Sequence, residues 1–175
     1  MRKSVADANL SDRDTAYSMM TSSASTITLL RRALAVILVL GIVGAEVELL
    51  LLKHTDGVWQ LAPIVLNGVA LLVCGWYALT RNAAAIRTLQ AVMIIFLVSG
   101  GIGMIQHFRG NMAYAVDSNP SLAGRELYTE AVMGSTPTLA PGMMVQLALV
   151  GLAFAFRHPR LRAKPGSSGI VSESR

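Results

Sequence analysis

Charged and strongly polar side chains are scarce in the apolar stretches of this chain, so each one is a candidate for chemistry. Two carboxyl groups, Glu46 and Glu48, lie inside one apolar run. Three amides, Asn67, Gln106 and Gln146, lie one in each of three others. Ionisable groups in such positions are costly and often functional. A carboxyl beside amides suits a proton, a cation or a cationic ligand, because burial disfavours the bare carboxylate. Two imidazoles, His54 and His107, fall at one end of their runs. Such a pair could ligate a b-type haem or, with a carboxylate, a transition metal.

Other chemistries are absent. The single cysteine, Cys74, cannot form a disulfide, a CxxC site or a cluster within one chain, and reads as a packed core residue. There is no phosphate-binding glycine loop and no nucleophile elbow. The segment Ser99–Gly103 reads as a close-packing face rather than a phosphate cradle. These absences point away from an enzyme without naming an alternative activity.

The elements that must position these residues are membrane spans. The chain has 175 residues, 53% hydrophobic and 14% charged, with a mean hydropathy of +0.53. That is too few charges for an ordinary soluble domain. Four apolar runs stand out, at about 33–52, 59–80, 89–108 and 139–156. Each approaches the ~20 residues a helix needs to cross hydrocarbon. Alternating strands are missing, which argues against a barrel. The expected fold is therefore an all-α integral membrane protein, a bundle of four transmembrane helices occupying residues 29–157.

Twelve of the fifteen Lys and Arg residues fall on one side of this arrangement, leaving only Lys53, Arg109 and Arg125 on the other. The bias places both termini in the cytoplasm. It also accounts for the +5 charge without nucleic acid. Residues 1–28 are rich in Ser, Thr, Asp and Ala and read as a disordered arm. Residues 158–175 read as a basic, flexible tail, with His158 solvated. The outer loop, 109–138, is expected to carry a short amphipathic helix that starts at Asn119-Pro120 and stops at Gly134. Arg31-Arg32 followed by Val43-Gly44-Ala45 also resembles a signal peptide cut before Glu46, but the apolar run resumes beyond it.

Helical periodicity orients the polar groups. Gly41, Gly44, Ala45 and Glu48 share one face of the first span, and small residues mark close helix packing. Glu48 is thus expected to point inward and Glu46 outward, toward a second subunit or the interface. Asn67 aligns with Ala70 and Cys74, Gln106 with Ser99 and Gly103, and Gln146 with Gly142. Glu48, Asn67, Gln106 and Gln146 would then converge on an outward-facing polar pocket.

The resulting expectation is a small bacterial-type inner-membrane protein, self-associating or accessory to a membrane complex. Two alternatives follow from the same residues. One is a haem- or metal-binding redox protein using His54 and His107. The other is a proton- or ion-coupled transporter using Glu48.

Overall fold

The computed structural model describes residues 2–55, 57–134 and 136–162, with side chains from Tyr17 onward. The described residues form helices and turns, with no strand. Six helices follow in order: α1 Arg2–Leu51, α2 Val58–Thr80, α3 Ala83–Ser118, α4 Gly124–Met133, α5 Gly142–Ala155 and the single turn α6 Pro159–Arg162. Within them, 17–51, α2 and α3 are each long and apolar enough to cross a membrane.

The expected disordered arm is instead the first half of α1. No Gly or Pro occurs before Gly41, so nothing interrupts the helix. From Tyr17 to Leu30 every side chain is exposed. Thr21, Ser25, Thr26 and Thr28 turn their hydroxyls back onto carbonyls of the preceding turn. That local bonding satisfies the hydroxyls without any partner helix. The tail residues 163–175 lie outside the described residues.

Two further boundaries differ from expectation. Asn119-Pro120 ends α3 rather than starting the next helix. A residue before proline is pushed out of the helical region, and Asn119 has φ −145° and ψ 92°. Its side chain serves Ser121, accepting from both the backbone N–H and the hydroxyl. The fourth apolar run is helical only over the 14 residues of α5. Pro141 holds the N-cap position, and Arg157, at φ 46°, ends the run. At 1.5 Å per residue α5 is about 21 Å long, short of a ~30 Å hydrocarbon core.

α1 packs against α2 and α5, and α3 packs against the same two; across the diagonals the described backbones stay apart and only side chains meet, as Tyr77 of α2 meets Phe154 of α5. The shared core is Leu38 and Ile42 of α1, Ala70 and Val73 of α2, Leu89, Met93 and Phe96 of α3, and Leu147 and Ala148 of α5. The tightest seam joins α3 to α5 through missing side chains. A Cβ on Gly100 would lie 2.8 Å from Val145 Cγ2 and 2.9 Å from the Pro141 carbonyl oxygen. On Gly103 it would lie 2.7 Å from Pro141 Cβ, and on Gly151 it would run into Met93 Sδ.

The first two turns between helices are short. Asn82 caps α3 by accepting from the Ala85 N–H at 2.8 Å. α1 ends in a Schellman pattern, with the His54 N–H on the Leu49 carbonyl and the Lys53 N–H on that of Leu50.

Replacing Gly100 by Ala should destabilise the protein by about 1–3 kcal/mol, because the obstructing atoms include backbone that cannot rotate away. Gly101→Ala meets nothing within 4 Å and should stay within about 0.5 kcal/mol of wild type. Unfolding the purified protein in mild detergent checks both, and equal losses would contradict the packing.

Candidate functional site

The polar residues sort differently from the expected convergence. In α1 the most buried positions are Leu38, Ile42 and Ala45. At 100° per residue Glu46 lies about 40° from Ile42, and Glu48 about 120° away. Glu46 is accordingly half-buried and Glu48 exposed, the reverse of the expected placement. The small residues misled: a Cβ on Gly41 would meet Leu147, but one on Gly44 meets nothing within 4 Å.

Gln106 and Gln146 are exposed as well. The inward stripe of α3 runs Phe96, Gly100, Gly103, His107, Asn111, Ala115, stepping by four at the point where the expected face stepped by three. In α5 the inward face is Leu147, Ala148 and Gly151, and Gln146 lies to one side of it. Of the four residues expected to meet, only Asn67 is enclosed. Neither of its amide atoms has a hydrogen-bond partner among the described residues, and the same holds for Oε2 of Glu46.

His54 and His107 are half-buried. His107 Nδ1 donates to the Pro137 carbonyl oxygen at 3.0 Å, which leaves Nε2 as its free ring nitrogen. His54 sits in the turn after α1, and its backbone closes that helix. Among the described residues the backbones of α1 and α3 do not approach each other closely. Among the described residues no group of three or more His, Cys, Asp and Glu side chains is placed to hold a metal ion.

Asn111 was not a candidate from sequence, yet it forms the densest polar centre. Its Nδ2 faces three oxygens: the Ala131 carbonyl at 3.1 Å, the Thr136 carbonyl at 2.7 Å and Thr138 Oγ1 at 3.2 Å. Its Oδ1 accepts from the Thr136 N–H at 3.2 Å. Thr138 Oγ1 also donates to the Ala131 carbonyl at 3.0 Å. The cluster closes over Gly134, where a Cβ would lie 2.7 Å from Asn111 Cγ. One buried amide thereby fixes the end of α4 and the approach to α5. The only sequence signal was its place on the α3 stripe, in a region read as loop.

A second centre closes the opposite end of α5. His158, expected to be solvated, is only 7% exposed. Its Nδ1 accepts from the Arg160 N–H at 3.3 Å, so Nε2 carries the proton and donates to Tyr77 Oη at 3.1 Å. The rings of Tyr77 and Phe154 stand edge-on to each other, and both flank the imidazole. Arg31 of α1 donates to the Phe156 and Arg157 carbonyls at 3.5 and 3.3 Å. Loss of hydration, then the charges of Arg31 and Arg160, hold the His158 pKa below its usual 6.5.

Comparison with family models, with curated proteins and with solved structures finds no match for this chain. The functional reading rests on the geometry alone.

Two measurements test these centres. Asn111→Ala should cost about 2 kcal/mol or more and speed amide exchange at Thr136; unchanged exchange there would show the cluster is not needed to hold the segment. For His158 the lowered pKa means the folded state binds fewer protons than the unfolded chain below pH 6.5. Stability held by neutral His158 is complete above that value and is lost as pH falls. Melting temperatures should drop more steeply toward about pH 5 in wild type than in His158→Phe, and parallel slopes would refute the assignment.

Proposed function

We propose that the chain is a self-associating, non-enzymatic membrane protein, a four-helix bundle whose contacts with further copies run along the outer seam between α1 and α5. Three helices already suffice to place it in a membrane by length and composition. Treating α5 as the fourth crossing puts Arg31, Arg81 and Arg157 on one side, with most of the other basic residues. That pattern supports a plasma-membrane location with both termini cytoplasmic. It also sets α4 in the outer connection, packed on the extension of α3 through Phe108 and Tyr128, whose ring centroids are 5.7 Å apart.

The observation that carries the reading is Gln146. It immediately precedes Leu147, which meets Gly41. Gly41 is near the middle of the first span, so Gln146 lies near mid-depth. It is exposed and makes no hydrogen bond to any described residue. A short amide at that depth cannot reach the interface, unlike a long cation. In hydrocarbon such groups associate with other helices, at about 0.6 kcal/mol per contact and up to about 1.7.

Glu48 supports the same seam. It lies about 20° round α1 from the direction of Gly41, the direction of α5. Gln146 lies 100° round α5 from Leu147, which meets α1. Gly44 leaves the surface beside them open to close approach. The subunit-contact role expected of Glu46 therefore passes to Glu48.

Light scattering in mild detergent should give a mass above the 18.6 kDa monomer for wild type. Gln146→Leu should shift the equilibrium toward monomer by about 3- to 15-fold. A monomeric wild type with no co-purifying protein would sink the proposal. With Cys74 changed to Ser, a single cysteine at position 146 should form a disulfide-linked dimer in membranes, and one at the core position Ala148 should not.

A further inference from the structure

Glu46 and Asn67 belong to adjacent, antiparallel helices joined by the turn 52–57. Counted from that turn at 1.5 Å per residue, Glu46 is about 8 Å deep and Asn67 about 14 Å, one helical turn apart. Helical side chains lean toward their own N-terminus. Glu46 therefore leans down toward the level of Asn67, and Asn67 leans up toward Glu46. Around the helix, Glu46 lies about 140° from Gly41, which faces α5, and so on the α2 side of the inward stripe. Asn67 heads the buried stripe Asn67, Ala70, Val73 of α2.

The chemistry of the pair is unbalanced. Both Asn67 amide atoms and Glu46 Oε2 are buried and unpartnered among the described residues, whereas buried polar groups in proteins are almost always satisfied. Glu46 forms no ion pair with a described residue. No Asp, Glu, Lys, Arg or His occurs in α2, in α5, or between Leu89 and Gln106 of α3. Glu48 points out of the bundle, and Lys53 is exposed in the turn. The other titratable groups are held elsewhere. His54 lies half-buried in that turn, His107 is bonded to Pro137 and Tyr77 to His158, and Cys74 sits two turns below Asn67. A carboxylate with an oxygen buried and no counter-charge is costly unless a proton neutralises it or a cation balances it.

We propose that Glu46 and Asn67 form an internal site for a single positive charge. The carboxylate and the amide oxygen supply two hard oxygen ligands, and Asn67 Nδ2 donates to a water in the same shell. That chemistry fits a monovalent metal ion such as sodium, or a proton held on a bridging water. The site is separate from the α1–α5 seam and does not depend on self-association.

Thermal unfolding in detergent tests it, with sodium chloride titrated against choline chloride at constant ionic strength, and again across pH. Sodium should raise the melting temperature of wild type and of Glu48→Gln, but not of Glu46→Gln. Asn67→Ala should move the sodium midpoint up by about tenfold. If sodium has no effect, a pH response of wild type that is altered in both Glu46→Gln and Asn67→Ala identifies the proton; His158 contributes equally to all three and cancels. Identical responses of wild type and Glu46→Gln to sodium and to pH would overturn the proposal. Should Glu46→Gln fail to fold, an unshifted sodium midpoint or an unchanged pH profile in Asn67→Ala would do so.

Discussion

The close approach of α3 and α5 governs most of this molecule. Gly100, Gly103 and Gly151 remove side chains at successive turns, and Pro141, Val145 and Met93 fill the space. Dispersion contacts fall off steeply with distance, so a seam of this kind has one good depth and few alternatives. That depth decides where α5 begins and ends. Its beginning brings the segment before Pro141 against Asn111 and His107. Its end brings Phe156 and Arg157 to Arg31, and His158 to Tyr77. A helix of 14 residues would be a weak element alone. Here it is seated by glycines along its length and fastened by polar groups at both ends.

The helix ends show how basic residues serve two purposes. Lys53, Arg81 and Arg157 all have positive φ, at 50°, 51° and 46°. Glycine is the usual occupant of that position. A cation there accepts a steric cost, since L residues disfavour the left-handed region. In return its charge sits beside the unsatisfied carbonyls and the negative end of the helix dipole. Arg31 does the same for α5 from a neighbouring helix. The charge asymmetry visible in the sequence is therefore partly a capping system.

The helical class and three long apolar helices were legible because backbone groups in an apolar setting leave few options other than helix. The positions of the polar groups were less so. A face rich in Gly and Ser marks contact only where a neighbouring helix fills the space. That holds at Gly41, Gly100, Gly103 and Gly151, but a Cβ on Gly44, Gly68, Gly75 or Gly101 would meet nothing within 4 Å. Anchoring α1 on Leu38 and Ile42 instead turns its face by enough to exchange Glu46 and Glu48. Asn111 was hidden for another reason. Its value depends on Ala131, Thr136 and Thr138, which are 20 to 27 residues away and offer mainly backbone oxygens. No local pattern encodes such partners.

The polar residues of the apolar helices fall into two groups with different demands. Glu48, Gln106 and Gln146 face outward, where the alternative to lipid is another polypeptide. Amide contacts between helices are individually weak, so several acting along one surface are needed for a lasting complex. Asn67 is fully buried and Glu46 turns one oxygen inward. Their demand must be met by something that fits between packed helices and balances a charge. An uncharged guest would satisfy Asn67 and leave the carboxylate unbalanced; a large one would separate α1 from α2. A small cation meets both conditions. On the proposed readings the two groups would respond to different signals, assembly on the outer surface and ion occupancy within, although α1 carries a carboxylate from each.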